Sequence, residues 1–592
     1  MRHVRRFAAA CVVVLAMLIA TSARAQVLQL VPSEAIVVIK IKNLQDVSAK
    51  VAALSQQWGL ANIRPELNDP LGTLLTVGGM GPGLNKNGEA AVAIMKPAEG
   101  ADEPEVVVFV PVSDFKAFAA ALPNAKVEGE LTVFNPGDKP SYAAHVGEYA
   151  VVSPNKELVT KKGGGLQVAG VSAKELESKD LIAYANLKVL RKDILPPLQQ
   201  NKGQMIDGIA EAMANAPGSN PKFVPVLKAY FGQMVNTAEE FLTDADGAAF
   251  GINLGKDGIS TTLMAEFTPG SRLGKAASAM KGSDASFTSG LPEGKYFVYG
   301  GFTIDPAGVQ LFNDFVAPIE KEIQALGAEG EPLLDYLAAT RNYLAAAKQA
   351  NFGMVAPPAA AIGQQGVIQA VTVIHGDAAK LLEAQGQMLA AQDALMKLTG
   401  GGALAGQTTT TAKAKTVDGV QLDQFTTKFA MNPQTPEEQQ AAFLMQMLYG
   451  PNGLTGYTGA IGGDKIVSIV GGDDALVAAG VQAAKAGVDA LAKGPSAAVA
   501  KTLPPQRLGA FYLPIDTIAT TVLDVMAARG MPGGVKLPPN LPPLGWAFVT
   551  EGTAFRVEGY VPAQTVQALI AASMQMWLQN MQGGGAGQPG GL

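Results

Sequence analysis

Cysteine is almost missing from this chain: among 592 residues there is one, Cys11. It lies in an N-terminal segment with the marks of an export leader, so a chain freed of that segment has neither disulfides nor cysteine-bound metal. Histidine is nearly as scarce, with three in all, of which only His145 and His375 lie outside the leader. A metal centre would need more imidazoles or a carboxylate cluster beside them. Aromatic residues make up 6% and charged residues 16% of the chain, the latter well below the roughly 25% of an ordinary domain. There is no basic excess either: 45 Lys+Arg stand against 51 Asp+Glu. The leader holds Arg2, Arg5, Arg6 and Arg24 and no acid, leaving 41 against 51, or −10. That balance argues against a nucleic-acid partner. Also missing are His-Glu-x-x-His, Gly-x-Ser-x-Gly and Gly-x-x-x-x-Gly-Lys-Ser/Thr, and with them the usual signatures of metalloproteases, serine hydrolases and nucleotide-phosphate sites.

What is present begins with the leader. Arg2, Arg5 and Arg6 precede the apolar run Phe7 to Ala20, and Ala23-Arg24-Ala25 supplies the small residues that a signal peptidase accepts before Gln26. The run is 14 residues, short of the roughly 20 that a spanning helix needs. Cys11 lies early in the run, which is the wrong place for a lipid-modified N-terminus. No second long apolar run follows, so no transmembrane segment is expected after cleavage, and the chain is read as exported, periplasmic or secreted.

The rest is written in units. In the most complete of them, Leu541 to Met581, two β-rich runs flank Glu551-Gly552, and Phe555 and Val557 alternate with Arg556 and Glu558, the pattern of an antiparallel strand with one buried face. Val566, Leu569, Ile570, Met574, Trp577, Leu578 and Met581 follow at helical spacing, and predict a helix docked by that stripe. Hairpin–helix units of this kind recur at residues 90–122, 142–160, 249–280, 352–389 and 457–492. Strand–helix units recur at 35–54, 181–187, 296–306 and 508–516, each strand ending at Asn43, Asn186, Asp305 or Asp516. Those four polar residues are read as helix N-caps and not as a catalytic cluster. The order of units over 31–281 is the order over 291–577, which predicts an internal duplication. The halves are expected at 26–285 and 286–582, with 1–25 the signal peptide and 583–592 a flexible Gly-rich tail. Helical insertions at 203–244, at 306–350 and from Thr435-Pro436-Glu437-Glu438 distinguish the halves.

Other candidates carry less. Gly79-Met80-Gly81-Pro82-Gly83 looks like a phosphate cradle, but Pro82 removes an amide donor and no helix N-terminus follows. Asp244-Ala245-Asp246-Gly247 echoes a calcium loop, yet Gly255 stands where a bidentate Glu belongs. Ala98 to Pro104 is an acidic loop, and the methionines at helical spacing are assigned to core. No residue is given a catalytic, cofactor-binding or metal-ligating role, and no cofactor is expected.

Val31-Pro32-Ser33-Glu34-Ala35 through Asn43-Leu44, and Leu503-Pro504-Pro505 through Asp516, resemble uncharacterised exported bacterial proteins in which a Pro-led strand, a capped helix and hairpins recur. The resemblance covers the repeated units and not the inserted helices. It implies a domain of unknown function and transfers no active site. The fold class expected is α+β: duplicated, curved, mainly antiparallel sheets with helices packed on one face. The function expected is that of a non-enzymatic envelope or secreted protein that binds a protein partner or an apolar ligand through its sheet or its helix–sheet interface. The alternative is a hydrolase with a dispersed active site. Intact-mass measurement of the exported protein is expected to place its N-terminus at Gln26; retention of residues 1–25 would rule the leader out.

Overall fold

The computed structural model describes residues 26–78, 81–97, 103–137, 139–161, 164–215, 220–358, 361, 365–398, 406–429, 436–489, 492–528 and 534–583. The expected leader, residues 584–592 of the tail, most of the acidic loop, Gly79-Met80 and Thr435 lie outside them. The fold is α+β. Its residues group into two compact units, the described part of Met1–Ile194 with Asp244–Thr268, and Leu195–Thr243 with the described part of Pro269–Leu592.

In the first unit the strands are β1 (Val37–Ile41), β2 (Ala90–Pro97), β3 (Pro104–Pro111), β4 (Lys126–Glu128), β5 (Leu131–Phe134), β6 (Ser141–Val146), β7 (Tyr149–Ser153), β8 (Leu181–Ala185), β9 (Ala245–Gly255) and β10 (Gly258–Phe267). They pair antiparallel in the order β4-β5-β6-β7-β3-β2-β1-β8-β9-β10. Strands of the second unit are β11 (Tyr296–Thr303), β12 (Ala347–Val355), β13 (Gln369–Gly376), β14 (Gly406–Val417), β15 (Val420–Phe429), β16 (Leu454–Ile461), β17 (Lys465–Val470), β18 (Gly509–Leu513), β19 (Leu544–Glu551) and β20 (Ala554–Pro562). Their order is β14-β15-β16-β17-β13-β12-β11-β18-β19-β20, again antiparallel throughout. Adding ten to each strand number of the first unit gives the order in the second.

Two hairpin members escape the sequence reading: β4 with β5, and β14 with β15. The second has a legible signal, because Val417 pairs Val420 across Asp418-Gly419, both with positive φ (49° and 79°), the geometry of a two-residue turn that splays least. Its strand β14 carries a run of threonines in place of an apolar alternation, so periodicity misses it.

One face of each sheet is sealed by helices. In the second unit Val477, Val481 and Ala484 of the helix Asp474–Ala486 and Val499 of the helix Pro495–Thr502 pack on Tyr299, Val371, Val467, Ile469, Ala510, Tyr512 and Ala547. In the first, Leu176 of the helix Gly170–Ser178 is fully buried, as are Val38 and Ala93 on the strands below. The inserted segment 195–243 groups with the second unit, where Val226 packs against Ile319 and Ile323 of the helix Pro306–Ala325.

Two local expectations are corrected. Asn43 and Asp305 cap their helices, accepting from the amides of Asp46 and Ala307 at 2.8 Å each. Asn186 directly precedes the helix Leu187–Ala214, its carbonyl accepting from Val189 N and Leu190 N while its side-chain amide donates to Ser33 O at 3.3 Å, but Asp516 lies inside the first turn of the helix Ile515–Ala528 and accepts from Leu541 N at 3.3 Å. The last helix, Ala563–Gly583, does not dock by its large residues: Trp577 is 61% exposed, and Leu569 and Leu578 are exposed with it. Thr565, Ala568 and Ala572 are the buried stripe, the two alanines against Leu537 and Leu541. Spacings of three and four suit both stripes, and the small residues win because they let the helix approach the segment 534–543 closely. Trp577→Ala is therefore expected to unfold within about 0.5 kcal/mol of wild type, whereas Leu541→Ala costs about 2–5 kcal/mol; denaturant unfolding of the two variants checks the docking face.

Candidate functional site: an uncovered apolar sheet face

The sheet register determines which side chains share the face opposite the sealed one. In the second unit Ile466, Ile374, Ala350, Phe302, Gly509 and Phe548 are successive cross-strand partners from β17 to β19. The next row is Ser468, Thr372, Phe352, Gly300, Phe511 and Trp546. Over β13 and β17 the helix Ala378–Leu398 covers this face, with Leu381 fully buried on Ile374 and Ile466. Over β11, β12, β18 and β19 it stays accessible, with Phe302 41%, Met354 36% and Phe548 42% exposed and Phe352, Phe511 and Trp546 half-buried.

Large side chains stand on both sides of this sheet, Tyr299, Tyr512 and Ile469 on the sealed one and several aromatics on the other. On β19, Ala547 is fully buried while its neighbour Phe548 faces out, and on β18, Ala510 is fully buried while Phe511 faces out. Gly300 lies between Phe352 and Phe511. A Cβ there would fall 2.1 Å from Ala510 O, so only glycine allows the backbones to approach, and the flanking rings roof the gap. Phe352 and Phe511 stand 5.7 Å apart and Phe511 and Phe548 meet edge to face at 5.4 Å, separations at which aromatic pairs attract. Aromatics placed over sheet glycines also pin register.

In the first unit the same face holds Val108, Val92, Ile39, Ala183, Phe250 and Leu263 in one cross-strand row. Phe250 is 46% and Leu263 55% exposed. On the opposite, sealed face Ala91, Ala93, Phe109, Ile182, Tyr184 and Ala249 are buried. The helix Phe115–Ala121 covers the β6 end of that face, where Phe118 packs on Phe134, Ala143 and Ala150.

Titratable groups have structural explanations. Lys40 lies on the sealed face, 1% exposed; its ammonium donates to Leu176 O at 2.9 Å and pairs with Glu89 at 2.8 Å. Burial pushes the Glu89 carboxyl up despite Lys40 opposite. Lys40 thus ties the last turn of the helix Gly170–Ser178 to β1, a favourable place for a cation. Burial also raises the Tyr296 and Tyr299 phenols far above their ordinary range; Tyr299 bonds the Ser496 hydroxyl. His145 stacks on Phe115 at 5.0 Å. His375 lies at the end of β13 between Gln349 and Lys465, and its Nε2 has no hydrogen-bond partner among the described residues. The two histidines occupy different strands and do not meet. Among the described residues no group of three or more His, Cys, Asp or Glu is placed to hold a metal ion, and no helix is long and apolar enough to cross a membrane.

The aromatic face was missed in the sequence because Gly545-Trp546-Ala547-Phe548 has the alternation of any half-buried strand. Periodicity says that two faces differ and not which one is covered. A signal was available in the partners: on β11 and β18 the outward positions alternate Phe with Gly, a poor way to fill a core.

No family model matches the chain, and no curated protein matches it. Among solved structures, crystal form I of TP0453 is similar at 9% identity over 48% of this chain and 97% of that one, with a TM-score of 0.19; a likeness at that level carries no argument.

Burial, reinforced by the nearby Lys465 cation, holds the His375 imidazole below its ordinary value. Above about pH 6.5, the unfolded value, both states are neutral there and His375 has no effect. As pH falls below that value the unfolded chain takes up the proton first, so folded stability drops. His375→Gln is expected to lose less stability than wild type between pH 7 and pH 5, as read by urea midpoints; equal losses would contradict the burial.

Proposed function

We propose that the chain is an exported, non-enzymatic envelope or secreted protein that binds an apolar ligand or partner surface through the uncovered faces of its sheets. The observation that supports this most is the contiguous patch of large apolar side chains, Phe302, Met354, Phe511, Trp546 and Phe548, on the accessible side of a sheet whose other side is already sealed. Soluble proteins rarely leave large apolar side chains contiguous on a surface without using them. Sealing the three most exposed residues, Phe302, Met354 and Phe548, contributes roughly 1.5–3 kcal/mol each, which barely offsets the ~4–15 kcal/mol cost of association. Useful affinity therefore needs the half-buried Phe352, Phe511 and Trp546 as well, and the occupant must be broad and flat. The export leader ending at Ala25 supports the compartment, and the identical strand order of the two units supports a duplicated binding frame.

Titration with the apolar dye 8-anilinonaphthalene-1-sulfonate tests the reading. Wild type is expected to bind it, and the double variant Phe302→Asn, Phe548→Asn to lose most of the fluorescence gain while still unfolding cooperatively, at a somewhat lower midpoint because the Phe511–Phe548 ring pair is lost. Undiminished dye binding by a folded double variant would move the apolar site elsewhere.

A further inference from the structure

The second unit carries a groove on the far side of the helix Ala378–Leu398 from the aromatic patch, between that helix and strands β14, β15 and β16. It measures about 400 Å³ and is lined on the helix by Leu382, Gln385, Gly386, Leu389 and Ala390, and on the strands by Thr408, Thr410, Ala412, Asp423, Phe425 and Thr458 among others. A volume of that size is in the range of small-ligand sites, roughly 300–1,000 Å³.

Its existence follows from residue size. In the first unit the matching place, under the helix Phe115–Ala121, is closed because Phe118 fills it completely against Phe134. In the second, Gly386 and Ala390 face threonines and Ala412, and among the described residues no large side chain fills the gap. A β-bulge lies at the same spot: the register of β14 on β15 shifts between Thr411 and Lys415, and Lys413 takes a left-handed φ of 51°. Bulges re-aim side chains beside sites. This one places the Lys413 amide 2.7 Å from Asp423 Oδ1.

Chemistry divides the groove in two. Leu382, Leu389, Ala390 and Phe425 form an apolar lane along two turns of helix, about 10 Å. At the strand side stand hydroxyls and amides, with Gln385 accepting from Thr458 at 3.0 Å, and Asp423 is the sole charged residue among the described residues of the lining. We propose that this groove binds a single-chain amphiphile, its aliphatic chain along Leu382, Leu389 and Phe425 and a cationic head at the Asp423 carboxylate. The negative charge selects the head, because an anionic head would face Asp423 with no basic residue among the described lining residues to offset it.

The test uses the full-length exported protein and two probes of equal chain length, decylamine and decanoate, followed by calorimetric titration. Gly386→Leu fills the groove at a helical position where an added Cβ meets nothing within 4 Å, so folding is spared, and circular dichroism verifies it. Asp423→Asn removes the charge and keeps an acceptor for the Lys413 amide. Expected are decylamine binding to wild type, at least about tenfold weaker binding of decanoate, or about 1.4 kcal/mol, loss of decylamine binding in Gly386→Leu, and loss of the discrimination in Asp423→Asn. Failure of decylamine to bind, equal affinity for the two probes in wild type, or binding that survives folded Gly386→Leu overturns the proposal. Phe302→Asn, Phe548→Asn separates the two sites: decylamine binding should persist in it, and its loss there would assign the amine to the aromatic face and overturn the groove.

Discussion

A β-strand sends successive side chains to opposite sides of its sheet, so every strand here divides its residues between two environments, and the fold depends on which side the connecting helices take. Helices that follow β7 and β17, and the short helices before β8 and β18, lie on one side and seal it. The helices after β3 and β13 cross to the other side but reach only part of it. Strands β1, β2, β8 and β9, with β11, β12, β18 and β19, are left with one accessible face. Covering them fully would need helices that the β1–β2 and β8–β9 connections, and their counterparts, place elsewhere.

The sealed side combines large apolar side chains such as Tyr299, Tyr512 and Ile469 with small residues and satisfied polar groups. Asn351 is fully buried and donates to Ser289 O at 2.9 Å; Thr288 donates to Asp489 at 2.7 Å; Glu266 accepts from the amides of Val171 and Ser172 at 2.9 and 2.8 Å, the start of a helix. Unmet buried hydrogen bonds cost roughly 1–3 kcal/mol each, so these partners set the positions of loops and helix ends against the sheet. In a chain with no disulfide expected, such bonds and the close packing of the sealed side take the place of covalent staples.

Much of this order was legible in the residues. Hairpins announced by Gly552 and by Gly255 to Gly258 form as read, and the α+β class follows from alternating strand and helix periods. What was not legible depends on tertiary choice. Helix Ala563–Gly583 has two stripes of nearly equal spacing, and only the approach distance to Leu541 selects Ala568 and Ala572 over Trp577. Strand β14 hides in threonines. The aromatic face hides because an alternating strand states a difference between faces without naming the buried one, and the groove beside the helix Ala378–Leu398 exists only where a bulge and Gly386 come together in space.

Hydroxyl-radical footprinting with residue-level mass spectrometry tests the central claim, a sheet sealed on one side and accessible on the other. The account requires rapid oxidation of Met354, Phe302, Phe548, Phe250 and Leu263, and protection of Phe109, Phe118, Tyr296 and Tyr299. Protection of Phe302, Phe548 and Met354 at the level of Tyr296 in the isolated protein would contradict it, because something would then cover the face on which the binding role rests.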